Sequence, residues 1–152
     1  MPAGSIILLP IGLLVFILAV TLLFVRWLTA RRMKVMRERF PNALRAEPAN
    51  FYGQESRGVG QLRGNGILVL LSDQLLFAML VPRREYTITR RSIVRTESPT
   101  SYLGRTNFQP LLKVVFQDET GKLDSMAWLV RDVPGWQAQL GTQPAEAQPS
   151  QD

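Results

Sequence analysis

The first forty residues of the chain divide into an apolar segment and a basic one. Residues 6–25 carry no charged side chain and consist almost wholly of Ile, Leu, Val and Phe. They lack the polar positions at 3.6-residue spacing that an amphipathic helix of a soluble protein shows. As a helix, this segment extends about 30 Å, the thickness of the hydrocarbon core of a bilayer. The pattern predicts a transmembrane helix over residues 6–25.

Basic residues follow the apolar segment closely, beginning at Arg26, whereas residues 1–5 carry no charged side chain. By the positive-inside rule, this asymmetry predicts a single-pass protein of the cell membrane with its N-terminus outside and its C-terminal domain in the cytoplasm. A secretory signal is the alternative, but its basic residues would precede the apolar stretch. Four basic side chains are predicted contacts to the anionic leaflet: Arg31, Arg32, Lys34 and Arg37.

Residues 26–40 contain no helix breaker, so the sequence predicts that the membrane helix continues into the cytoplasm as a basic extension. Within this extension, Val35, Met36 and Phe40 form an apolar stripe. The stripe is suited either to the headgroup region or to packing on the domain that follows. Residues 41–57 are rich in Pro, Asn, Ala, Gly and Gln, which predicts a linker and a flexible attachment.

From residue 58 onward, short apolar or alternating segments separated by turn residues predict seven antiparallel strands. The predicted strands are 59–62, 67–71, 75–81, 85–89, 92–97, 111–116 and 123–130. Asp132 and Pro134 then predict the start of a short helix in which Trp136 and Leu140 face the same way. The tail, residues 141–152, is too polar to form a core, and we expect it to be disordered.

The second and third predicted strands are apolar on both faces. One face of an isolated antiparallel sheet usually contacts water, so the additional apolar face must be covered. The candidates are the segment before residue 58, a second copy of the domain, or a membrane-protein partner, and we favour a partner or self-association. The predicted partner face comprises Leu68, Leu70, Leu76 and Leu80.

The composition restricts the chemistry that is available to the chain. The sequence contains no His and no Cys, which removes the commonest general base, the commonest metal ligand and any thiolate. The acidic residues Asp118, Glu119 and Asp124 surround a predicted turn without the dense spacing of oxygen ligands that a metal site needs, so we interpret them as part of a solvated turn. The net charge of +6 derives largely from the basic extension and indicates membrane contact rather than nucleic-acid binding. We therefore expect no catalytic residue, no cofactor, no metal and no enzymatic activity.

Two arginine pairs, Arg83-Arg84 and Arg90-Arg91, bracket the fourth predicted strand. Depending on the length of that strand, the pairs emerge near one another or at opposite ends of a hairpin. Neighbouring arginine pairs suit an anionic headgroup or a phosphorylated peptide. Ordinary solvated loop charge is the alternative interpretation.

Three features of the domain carry a family resemblance. They are the run Gly66–Phe77, the spacing of Ile88, Ile93 and Glu97, and the segment Ala127–Val130 leading to Trp136. These features resemble the pleckstrin-homology superfold, most closely its GRAM and bacterial PH-like branch. Over residues 58–140, the resemblance implies a strongly bent, partly open barrel of about seven antiparallel strands, closed at one end by the C-terminal helix. The basic motif that phosphoinositide-binding members carry between their first two strands is absent, and only Arg63 stands there.

Together these features predict a membrane-anchored cytoplasmic PH-like module that binds a protein partner or scaffolds a membrane complex. Sensing of anionic lipid headgroups is the alternative, which the missing basic motif weakens.

Overall fold

The computed structural model describes residues 4–141, with side chains described from residue 11 onward. A long helix, α1 (Gly4–Arg39), precedes an antiparallel sheet of seven strands, and a short helix, α2 (Val133–Gly141), follows it. The predicted layout of an apolar N-terminal helix, a mainly-β domain and a C-terminal helix is confirmed. Apart from Gly141, the predicted disordered tail, residues 141–152, lies outside the described residues.

The strands in chain order are β1 (Arg45–Gln54), β2 (Gly64–Leu70), β3 (Gln74–Met79), β4 (Arg84–Thr89), β5 (Ile93–Glu97), β6 (Ser101–Tyr102), β7 (Arg105–Thr106), β8 (Leu112–Gln117) and β9 (Leu123–Leu129). Two 3-10 turns, η1 (Glu55–Arg57) and η2 (Arg90–Ser92), follow β1 and β4. The sheet has the order β4-β3-β2-β1-β9-β8-β5, and β6 and β7 form a separate hairpin. This order places β1 at the centre and leaves β4 and β5 as the edges.

The first strand of the sheet lies in the segment predicted to be a linker. Residues 41–57 contain β1, so the predicted linker is wrong there, and residues 59–62 belong to the loop before β2 rather than to a strand. The strand forms although it contains Pro48 and, at a register shift, Gly53. It pairs with β2 on one side and β9 on the other, and Phe51 is fully buried in the core. Tertiary pairing therefore overrides the weak local strand propensity.

One face of the sheet, called the inner face, holds the main core. Phe51 lies at the centre of an aromatic cluster, with its ring centroid 4.7 Å from that of Tyr86 and 5.8 Å from that of Trp128. From α2, Trp136 and Leu140 are buried in the same core, as the sequence predicts. The short C-terminal helix therefore closes the inner face.

The start of α2 is fixed by Asp132, the predicted cap. The backbone N–H of Gly135 donates to Oδ1 of Asp132 at 3.0 Å. This bond, together with a hydrogen bond from Arg45 at 3.1 Å, holds the pKa of Asp132 below its usual range. The guanidinium carbon of Arg45 also lies 4.8 Å from the ring centroid of Trp136. Arg45 therefore holds α2 on β1, although Arg45 lies close to the basic extension in the sequence.

The opposite face of the sheet, called the outer face, is covered by two separate elements of the chain. Over β2 and β3 the cover is α1, whose Met36 packs on Ile67, Val69, Leu76 and Ala78. Over β8 and β9 the cover is the β6–β7 hairpin. There the side chain of Tyr102 is buried with those of Leu111 and Ala127. Most of the area of both faces of the sheet is thus buried away from solvent.

Candidate functional site

The predicted partner face lies mostly inside the molecule. Leu68 and Leu70 are fully buried in the inner core, whereas Leu76 is buried on the outer face beneath α1. Leu80 is half-buried and lines a cleft beside the helix. These side chains do not share a free surface, so the prediction that they bind a partner is wrong. The burial of alternate residues confirms that the strands are apolar on both faces, but the cover is the chain itself.

Over β2 and β3, the cover of the outer face comes from the predicted apolar stripe of the helix extension. Met36 is 2% exposed and packs on the sheet, and Phe40 packs against the same cluster. Val35, the third residue of the predicted stripe, points away from this contact and is 41% exposed. An ion pair between Arg39 and Glu85 of β4 lies at the edge of this contact, and hydrogen bonding to Glu85 raises the pKa of Arg39. Roughly the last two turns of α1 therefore belong to the domain.

The four basic residues predicted to contact the leaflet follow the apolar segment along α1. Arg31, Lys34 and Arg37 are exposed, and Arg32 is half-buried. The guanidinium carbon of Arg31 lies 5.4 Å from the ring centroid of Trp27. These positive charges therefore lie within a few turns of the end of the apolar segment.

The two arginine pairs lie at opposite ends of β4, which separates them by about 20 Å at 3.3 Å per residue. Arg83, Arg84 and Arg91 are exposed. Arg90 is buried, and its guanidinium donates a hydrogen bond of 2.9 Å to the backbone carbonyl of Gln139 in α2. Arg90 therefore connects α2 to the sheet. The predicted arginines do not form one anion site.

A cleft of about 370 Å³ opens on the outer face, beside α1. Val25 and Thr29 form its helix wall. Leu129 of β9 and Leu80, just after β3, line the opposite wall, and Gln109 lines the cleft from the loop before β8. Since Val25 is the last residue of the apolar segment, the cleft lies where α1 leaves that segment.

A second groove, of about 460 Å³, follows the edge strand β4. The consecutive residues Glu85–Thr89 line one side, and residues 116–119, around the end of β8, line the other. The side chain of Thr87 is exposed, and the guanidinium carbon of Arg57 lies 5.4 Å from the ring centroid of Tyr86. An edge strand presents backbone N–H and C=O groups that pair with an added strand. This groove is therefore suited to an extended peptide.

A buried polar network connects β9 to the turn after β1. Oδ1 of Asp124 accepts the backbone N–H groups of Ser56 and Ser125 at 3.0 and 2.8 Å, and its Oδ2 accepts the hydroxyl of Ser56 at 2.7 Å. Burial raises the pKa of Asp124, but these bonds and one from Gln54 outweigh burial and hold the pKa below its usual range. The interpretation of a solvated turn is correct for exposed Asp118 but wrong for Asp124.

Two hydroxyl groups near Asp124, those of Tyr102 and Ser125, are buried and form hydrogen bonds within the protein. Tyr102 donates a hydrogen bond of 2.7 Å to the carbonyl of Ser125, and burial raises the pKa of Tyr102 to about 12. The hydroxyl of Ser125 donates to the carboxylate of Glu55 at 2.6 Å. Because Ser125 is 1% exposed, a substrate has no access to it. Within residues 11–141, the side chains also form no cluster of three possible metal ligands.

The N-terminal helix is the one element in the described part of the chain that is long and apolar enough to cross a membrane. Its most apolar stretch is not buried against any other part of the molecule. A helix at the core of a soluble protein would be mostly buried, so α1 does not have that role.

No protein-family model matches the sequence, and no curated protein is significantly similar to it. Among solved structures, the chain is similar to the crystal structure of the C-terminal domain of an unknown protein from Leishmania infantum. The TM-score is 0.49 and the sequence identity 16%, over 72% of this chain and 95% of that chain. A function for the chain therefore rests on its own geometry.

Proposed function

We propose that the chain is a single-pass membrane protein whose cytoplasmic PH-like domain binds a protein partner and has no chemistry of its own. The basic residues after the apolar segment support this orientation. The PH-like assignment is supported by the sheet order, in which the first strand pairs with both the second and the last, and by the helix that follows the last strand.

One observation carries the proposal: α1 passes from the apolar segment onto the sheet without interruption. It is a single helix of 36 residues, and Met36 near its end is among the most buried side chains of the molecule. The domain is therefore held at a fixed height and orientation relative to the apolar segment, in contrast to the flexible attachment that the sequence predicts. A fixed domain presents one surface to a partner in or beside the same membrane.

The surface that suits a protein partner is the groove along β4. Its rim has mixed charge, with Arg57 near one side and Asp118 and Glu119 on the other. Mixed charge disfavours an anionic headgroup as the occupant. Pairing of an extended segment with the edge strand uses backbone groups and tolerates mixed charge. We infer that the partner contributes such a segment.

The test is crosslinking and affinity purification of the full-length protein from its own membranes, followed by mass spectrometry. The proposal expects one dominant partner that is lost in the double variant Thr87→Arg with Thr89→Arg, because both side chains are exposed and line the groove. The matched control is Thr106→Arg, an exposed threonine of β7 outside the groove. Recovery of the protein alone, or equal loss of the partner in the control, would contradict the proposal.

A second candidate function is the binding of anionic lipid headgroups by the basic extension. It is favoured by the exposed charges of Arg31, Lys34 and Arg37 within a few turns of the apolar segment. This function predicts that phosphatidylglycerol is enriched over phosphatidylcholine around the protein in mixed nanodiscs. The enrichment should fall in the double variant Arg31→Gln with Arg37→Gln, as measured by mass spectrometry of the co-purified lipids.

A further inference from the structure

Two exposed apolar side chains stand on loops beside the cleft at α1. Phe108, in the loop before β8, is fully exposed, and Val81, in the turn after β3, is 72% exposed. Their chain neighbours Gln109 and Leu80 line the cleft together with Val25 of α1. Both loops therefore lie close to the residue at which the apolar segment of the helix ends.

The packing of α1 on the sheet determines the direction in which these loops point. Met36 packs on the middle of β2 and β3. Gly66, near the start of β2, and Leu80, just after the end of β3, line the cleft beside Val25. Along the helix, Val25 precedes Met36 by about 16 Å. The start of β2 and the end of β3 therefore point toward the apolar segment, and the turn between β2 and β3 points away from it.

We propose that Phe108 and Val81, here called the loop rim, insert into the headgroup region of the leaflet from which α1 emerges. This inference rests on the proposed membrane span. An exposed Phe and an exposed Val near the level of Val25 lose contact with water when they enter the lipid surface. The removal of their apolar surface from water is favourable. The exposed basic residues Arg83 and Arg105 lie within three residues of the loop rim in the chain and suit contact with lipid phosphates. The domain would then contact the membrane at the loop rim as well as through its helix.

The chain contains no Cys, so single cysteines label it at one position each. The experiment uses full-length Phe108→Cys and Val81→Cys, each carrying an environment-sensitive fluorophore. The proteins are reconstituted in vesicles of phosphatidylcholine and phosphatidylglycerol at roughly 3:1, with and without brominated acyl chains as quenchers. Both positions are exposed, so the substitutions leave the core unchanged.

Two further single-cysteine variants provide the references. Leu18→Cys reports on the apolar segment itself. Leu44→Cys is the matched control on the domain, because it is 56% exposed and its backbone N–H donates to the carbonyl of Leu70 at 2.8 Å, at the end of β2 that points away from the apolar segment. Leu70 is about 13 Å along β2 from Gly66, which lines the cleft.

The proposal expects blue-shifted emission and bromolipid quenching at Phe108 and Val81 that exceed those at Leu44 several-fold and stay below those at Leu18, which lies within the apolar segment. Quenching at Leu18 with none above the Leu44 level at the loop rim would refute the insertion and leave the membrane span intact. Absence of quenching at Leu18 would refute the span, and the insertion with it. A blue shift at the loop rim without quenching would refute lipid insertion and indicate a protein contact instead.

Discussion

The inner and outer faces of the sheet are both buried, but they are covered in different ways. The inner face is closed by α2 and by an aromatic cluster around Phe51, all from residues after the start of β1. Over β2 and β3 the outer face is closed by Met36 and Phe40, which belong to the same helix as the apolar segment. The inner core is therefore complete within the domain, whereas the cover of the outer face over β2 and β3 depends on the N-terminal helix.

This difference has a consequence for any fragment that begins at β1. Such a fragment retains the inner core but exposes Ile67, Val69 and Leu76, which α1 covers in the full chain. A contiguous exposed apolar patch of this kind promotes association.

The largest loss of stability is expected in the inner core. Phe77→Ala removes a fully buried ring that stacks on Phe51, with ring centroids 5.4 Å apart. Phe→Ala changes in cores cost about 3–5 kcal/mol. The free energy of unfolding, measured by urea denaturation of the full chain in detergent, should fall by this amount. Val94→Ala, at a half-exposed position, is the control and should change it little. Equal effects would contradict the assignment of the inner core.

On the outer face, Met36→Ala is expected to reduce the free energy of unfolding by about 2–3 kcal/mol, because it leaves a cavity between α1 and the sheet. Hydrogen exchange should rise in β2 and β3 more than in β8 and β9. The matched control is Val35→Ala, the neighbouring residue on the exposed side of α1. If both variants lose the same stability, the helix does not pack on the sheet as described.

The buried carboxylate of Asp124 provides a pH-dependent test. Its pKa is lowered in the folded state, so its stabilisation is present above the usual Asp pKa of about 3.9 and is lost as pH falls through the folded pKa. Asp124→Asn should therefore cost about 1–3 kcal/mol at pH 7, and the difference from the wild type should shrink below about pH 4. Urea unfolding at several pH values measures this difference. Asp73→Asn, at an exposed turn position, should show no comparable loss at pH 7.

The smallest effect is expected for the ion pair between α1 and β4. Glu85→Gln removes the partner of Arg39, and both side chains are more than a third exposed. Exposed ion pairs contribute about 0.5 kcal/mol and are screened by salt. The difference in unfolding free energy between the variant and the wild type should therefore disappear at high ionic strength. A large, salt-independent loss would show that the pair contributes more to helix docking than its exposure indicates.

The strands β6 and β7, of two residues each, lie between the fifth and sixth predicted strands and were not predicted. The six other strands after β1 were predictable because each is a short apolar or alternating run bounded by turn residues. The strand β1 was not, since Pro48 and Gly53 interrupt the local pattern and its stability comes from neighbours on both sides. The need to cover the outer face was predictable from Ile67–Leu71. The identity of the cover was not, because an apolar stripe such as that of Met36 suits lipid and protein equally.

The candidate site residues were less predictable than the fold. In the sequence, Arg90 appears as one of two loop arginines, but in the structure it is buried. Its hydrogen-bond partner Gln139 lies 49 residues further along the chain, so no local pattern indicates this burial. Likewise, Asp124 is separated from Ser56 by 68 residues. Exposed positions such as Phe108 were also not recognised, since a single apolar residue in a polar loop has no local signature. Only the fold brings the loop rim to the end of the apolar helix segment.

The uninterrupted passage of α1 into the domain would also couple the sheet to the mechanics of a bilayer that α1 spans. If α1 spans the membrane as proposed, a change in bilayer thickness alters the tilt of the helix. With Met36 and Phe40 packed on the sheet, no hinge absorbs that change before it reaches the domain. The sheet must lean by the same angle, so the groove along β4 turns toward or away from the membrane plane as the surrounding lipid thins or thickens.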